Sequence, residues 1–180
     1  SIHQFLFFAV CAGISGFGVT YLLDQGFTAS QAGTVLSVSS IISCLIQPLL
    51  GDIFDRLKRF VLPQIVGTIF LMAGVSFAVM QIVKPPLLVF GILYGTGNFL
   101  FGMTSSLSNS ICAYYNNRGI AINYGIGQGL GSLAFSFCSL AFGYIIAALG
   151  TPSMVYIMLG LIVIAATVAF TYPKLDESYV

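Results

Sequence analysis

Six Lys or Arg, five Asp or Glu and a single His are all that this 180-residue chain offers for charge-based chemistry. Catalysis at membrane depth needs a nucleophile beside a base, or two carboxylates that share a site. Serines abound, but His3 lies near the start of the chain. Asp24, Asp52, Asp55, Asp176 and Glu177 all fall in polar breaks or in the tail. The residues therefore assemble no catalytic constellation, and the chain reads as a non-enzyme. Cys11, Cys44, Cys112 and Cys138 lie in apolar stretches without metal-ligand spacing, so they read as small packing residues, and no metal or cofactor is implied. A net charge of +1 gives no basic face for nucleic acid.

What remains is binding by uncharged polar side chains. Asn98, Asn109 and Gln128 are carboxamides inside apolar runs, where an unpartnered amide is costly, so they should face protein or a water-filled cavity. Tyr94 and Tyr124 are aromatics able to stack on a ring. Together these five are the candidates for holding a small polar solute. For each, an interhelical hydrogen bond is the competing use.

The elements that must position them are membrane helices. Hydrophobic residues make up 58% of the chain, charged residues 6%, and mean hydropathy is +1.01, which excludes a water-soluble globular domain. A bilayer core about 30 Å thick takes roughly 20 apolar residues of helix. Polar or Pro/Gly breaks divide the chain into six spans at roughly 2–24, 29–53, 62–83, 87–113, 121–149 and 153–172. The first has no basic leader and is too long for a signal-peptide core. An all-α membrane bundle follows, with 1–84 and 85–172 as two three-helix repeats of one unit covering 1–180.

The second span carries Gly33, Ser37, Ser40, Cys44, Gln47 and Gly51 at steps of three and four, all on one face. The fifth repeats the arrangement with Gly125, Gly129, Ser132, Ser136, Ser139 and Gly143. Small faces let backbones approach closely in lipid, so both read as helix-docking seams. Gly91, Gly95, Asn98, Gly102, Ser105 and Asn109 form a third stripe, on the fourth span. The third and sixth spans are nearly uniformly apolar and read as lipid-facing supports. Glycine-interrupted stretches, Ala12–Gly18 in the first span and Gly95–Gly102 in the fourth, point to an inverted repeat lining a solute path.

Arg56, Lys58, Arg59, Arg118 and Lys174 fall on one side of the membrane and Lys84 alone on the other, which places both termini in the cytoplasm. Between the second and third spans runs Gly51-Asp52-Ile53-Phe54-Asp55-Arg56-Leu57-Lys58-Arg59-Phe60. Gly51, Asp55, Arg56 and Arg59 resemble the G-x-x-x-D-R-x-G-R-K signature of the major facilitator superfamily in its usual place, with Lys58 and Phe60 departing from it. The stretches Leu45–Gly51 and Tyr124–Gly131 resemble the oligosaccharide/proton symporter, lactose permease-like branch.

The resemblance implies half of a twelve-helix major facilitator fold in the cell membrane, the plasma or inner membrane. It would work by alternating access as a secondary active transporter of a small polar solute such as a sugar or nucleoside. A proton is the expected co-substrate. In that family the second and fifth helices meet the other half, and Asp55 and Arg59 match a cytoplasmic latch. The charged pair that holds a galactoside in the branch is absent, with positions near Ser110 and at Gln128 in its place. No galactoside is therefore implied. The tail from Pro173 resembles the start of a central loop, so the expected partners are lipid and a C-terminal six-helix half. The rival is a complete half-size carrier that pairs with a second copy. A facilitative uniporter and a channel are the other functional alternatives.

Overall fold

The first span is broken. Helix α1 (Ile2–Cys11) widens into a π-helical turn over Ala12–Gly16, and α2 (Gly18–Asp24) leaves at 45° after Phe17. The sequence explains the site of the break, because Gly13, Gly16 and Gly18 give weak helix propensity where the turn widens. The matching glycines of the fourth span do not interrupt it. Helix α5 (Leu87–Asn116) runs unbroken through Gly95, Gly97 and Gly102. Those residues serve contact instead: a Cβ on Gly97 would lie 2.7 Å from the Phe77 ring, and one on Gly102 2.6 Å from Ser43 Oγ.

The structure of the chain, a computed structural model, describes residues 2–56, 62–116 and 123–172, with side chains there apart from those of 50–56, 109 and 111–114. The remaining helices are α3 (Ala29–Arg56), α4 (Leu62–Val83), α6 (Tyr124–Leu149) and α7 (Thr151–Phe170), and no strand occurs among the described residues. Five helices are long and apolar enough to span a bilayer, six when the bent pair counts as one. Helix α3 passes through Pro48 and continues to Arg56, three residues past the expected end. Helix α7 starts two residues early, because Pro152 fits the first turn of a helix and Gly150 takes the turn before it at φ 83°. Thr28 and Gln31 cap α3 reciprocally, with backbone N–H to side-chain oxygen distances of 2.9 and 3.3 Å.

Helix α3 packs on α5, and α6 packs on α1; α4 packs on α5, and α7 on α1; α4 and α7 meet. Exchanging the first three spans for the last three leaves these pairings unchanged. The core runs from Phe7, Phe70 and Phe101 at one end, through Phe77 and Met158, to Tyr21, Phe90 and Tyr94 at the other. The apolar third and sixth spans do expose large side chains, among them Met72, Val75, Val163 and Ile164, as expected of lipid-facing helices, but they also carry core. The uniformly apolar α4 and α7 are not merely outer supports: 50% and 39% of their span residues are buried, against 17% in α3 and 11% in α6. A helix that is apolar all round can give one face to the core and another to lipid. Helices α3 and α6 keep small-residue faces that nothing in the described chain covers, whereas the stripe of α5 packs on α3.

Candidate functional site

Three hydrogen bonds, one helical turn apart, join α3 to α5. Asn98 Nδ2 donates to Ser39 Oγ at 2.6 Å, Ser43 Oγ to the Phe99 carbonyl at 2.8 Å, and Gln47 Nε2 to the Gly102 carbonyl at 3.1 Å. Asn98 is thus buried and used between helices. Tyr94 is buried as well. Its hydroxyl donates to the Ile14 carbonyl inside the π turn at 3.1 Å, and a Cβ on Gly18 would lie 2.6 Å from that hydroxyl oxygen. The tyrosine and the glycine together hold the break in the first span. Gln47 belongs to this bonded row rather than to the open stripe of Gly33, Ser37 and Ser40.

Gln128 and Tyr124 do come together. Gln128 Nε2 donates to the Tyr124 hydroxyl one turn away, and Gln4 Nε2, on α1, donates to Gln128 Oε1 at 3.4 Å. Tyr124 is exposed, while Gln4 and Gln128 are half-buried. Above them α1 and α6 touch closely, since a Cβ on Gly131 would lie 2.4 Å from the Phe8 ring. Further along the same crease, the Cys11 thiol faces Ser15 Oγ at 3.7 Å, and Ser139 Oγ is enclosed beside Gly16 without a hydrogen-bond partner. These groups form a row of uncharged donors and acceptors along the broken span. Such a row can hydrogen-bond hydroxyls or amides of a neutral solute. It has no group to neutralise a formal charge on one.

Sequence reading missed Gln4, Ser39 and Ser43. The i, i+4, i+8 spacing of Ser39, Ser43 and Gln47 was the available signal for the α3 row. Asn109 lies in α5, but its side chain falls outside the described ones. Gly51, Asp55 and Arg56 occupy the last turns of α3, again with their side chains outside, and Arg59 lies outside the described residues altogether.

Around this row, α3 and α6 each present two exposed faces of different character. On α3, Ser37 and Ser40 with half-buried Gly33 make one, and Val38, Ile41, Ile42, Leu45 and Leu49 make the other. On α6, Gly125, Gly129, Ser132 and Ser136 are exposed on one side, and Leu133, Phe137, Leu140 and Tyr144 on the other. A Cβ added at Gly33 or Gly129 meets nothing within 4 Å. The bulky faces suit lipid tails, and the small faces leave room for a helix backbone.

Five apolar helices and one broken span, with a row of uncharged polar groups along the crease beside the break, have the features of a membrane carrier. The chain matches the family model of the Major Facilitator Superfamily over residues 1–124 and belongs to that superfamily of multi-pass membrane transporters. Neither the curated proteins nor the solved structures give a match to this chain.

Proposed function

We propose that the chain is the N-terminal six-helix half of an alternating-access, secondary active transporter for a small neutral polar solute such as a sugar or nucleoside, coupled to protons as a symporter. The observation that carries this reading is the pair of exposed small-residue faces on α3 and α6, which flank the broken span and the Gln4–Gln128–Tyr124 cluster. The small faces fit a second six-helix half, and the cluster between them fits a solute rich in hydroxyls. The pairings of α3 and α4 with α5, which correspond to those of α6 and α7 with α1, support an inverted repeat of 1–84 and 85–172. Placement in the oligosaccharide/proton symporter branch rests on Leu45–Gly51 and Tyr124–Gly131. The family resemblance points to the plasma or inner membrane, and the Lys and Arg distribution supports cytoplasmic termini. The Asp55–Arg59 stretch is assigned the cytoplasmic latch.

The test is uptake of labelled sugars and nucleosides by proteoliposomes that contain the natural-length protein. Gln128→Ala should lower apparent affinity by about tenfold, the value of one hydrogen bond of roughly 1.4 kcal/mol. An inward proton gradient should drive accumulation. Uptake that ignores the gradient replaces symport with facilitated diffusion, and unchanged affinity in Gln128→Ala removes the cluster from the solute site. A natural chain of six spans that transports as a dimer would replace the missing half with a second copy.

A further inference from the structure

Beside the α3–α5 hydrogen-bond row, on the side away from the first span, the two helices enclose a groove of about 870 Å³. Its rims are the exposed Val38 and Ile42 of α3 and Leu88 and Ile92 of α5. Gly91 and Gly95 line it between those rims. Val38 and Ile42 belong to the bulky face of α3, which continues through Leu45 and Leu49, so the groove opens away from the small-residue face. Its volume is that of a small-molecule site, roughly 300–1,000 Å³.

One end of the groove is polar. Ser30 and Gln31, from the first turn of α3, line that mouth. Gln31 Oε1 is taken by the Thr28 backbone N–H, which leaves its Nε2 as a donor for a ligand. Lys84 stands exposed three residues before Leu87, which lines the same end. An apolar trough with a donor at one mouth, and an exposed lysine three residues before the lining at that mouth, matches the polarity of a phospholipid. The bulky rims argue against a helix as occupant, because helices that dock in lipid do so over small residues.

We propose that this groove holds one acyl chain of an anionic phospholipid from the surrounding bilayer, with the lipid phosphate held by Lys84 and Gln31. The lipid fills the crease between α3 and α5 and braces the bonded row behind it. Bound there, it stiffens the pairing of the two helices without entering the solute path.

Native mass spectrometry of the natural-length protein, released from detergent with added phosphatidylglycerol or phosphatidylcholine, tests this. Retention of one phosphatidylglycerol in preference to phosphatidylcholine is expected. Lys84→Gln should erase at least tenfold of that preference. Gly95→Leu, which fills the trough, and Thr96→Phe, which crowds its exposed rim without disturbing the helix contact, should each remove the retained lipid. Lipid retention unchanged in Thr96→Phe overturns the proposal, as does an unaltered headgroup preference in Lys84→Gln. A shift from dimer to monomer in Thr96→Phe would assign the groove to a second copy and overturn it equally.

Discussion

Gly97 and Gly129 are the same residue in the same kind of helix, yet a methyl group at each meets different surroundings. At Gly97 three atoms of the Phe77 ring would lie within 2.9 Å, and at Gly129 nothing lies within 4 Å. Gly97→Ala should therefore lower stability by about 1–3 kcal/mol, the usual cost of overpacking a filled core. Gly129→Ala should leave thermal unfolding of this bundle in detergent unchanged. A melting experiment on the two variants side by side checks both. Asn98 permits a second test at this scale. If its bond to Ser39 is structural, Asn98→Ala costs roughly 0.6–1.7 kcal/mol and leaves the transport KM unchanged, whereas a solute ligand would raise KM. The stripes of small residues were readable from spacing alone. Which glycines are filled was not, because Phe77 reaches Gly97 from a different helix. The partners of Asn98 and Tyr94 were hidden for the same reason: Ser39 and the Ile14 carbonyl are 59 and 80 residues away.

At the scale of elements, the break in the first span depends on a contact from α5. The Tyr94 hydroxyl satisfies a carbonyl inside the π turn, and Gly18 leaves the room for it. Tyr94→Phe should destabilise the bundle by about 1 kcal/mol, measured by thermal or denaturant unfolding. Its effect on transport should exceed that of a core Phe→Leu change of similar cost, because the altered element is the one beside the polar row. The six spans themselves were legible, since a bilayer demands apolar runs of a fixed length and little else is required to see them. The burial of α4 and α7 was not. Uniform apolarity says that a helix avoids water and leaves open whether it meets lipid or its neighbours.

For the whole molecule, the uneven burial of the spans predicts an order of opening. Helices α3 and α6 contribute least to the core and present faces that nothing in the described chain covers. Their backbone amides should exchange hydrogen faster than those of α4 and α7 in the isolated bundle, by mass spectrometry of peptides from detergent-solubilised protein. Addition of the proposed C-terminal half, or pairing with a second copy, should protect α3 and α6 selectively. Equal protection of all spans in the isolated bundle would show that the small faces are not open seams. The superfamily was legible in Gly51, Asp55, Arg56 and Arg59, whose spacing survives even where two motif positions do not.

Gly150 is the only residue between α6 and α7, and it holds a backbone conformation, φ 83° and ψ 168°, that side-chain-bearing residues seldom reach. The Thr151 hydroxyl donates to the Asp24 carboxylate at the same end, so α2, α6 and α7 are fastened together there. Helix α6 also lies along α1, where Phe8 meets Gly131, so any tilt about that corner carries the two together. With 26 residues at about 1.5 Å each, a tilt of roughly 10° about Gly150 carries the far end of α6 through about 7 Å. Tyr124 and Gln128 ride at that far end, so any rocking of α6 is multiplied by leverage where solute would sit, and the fastened corner barely stirs.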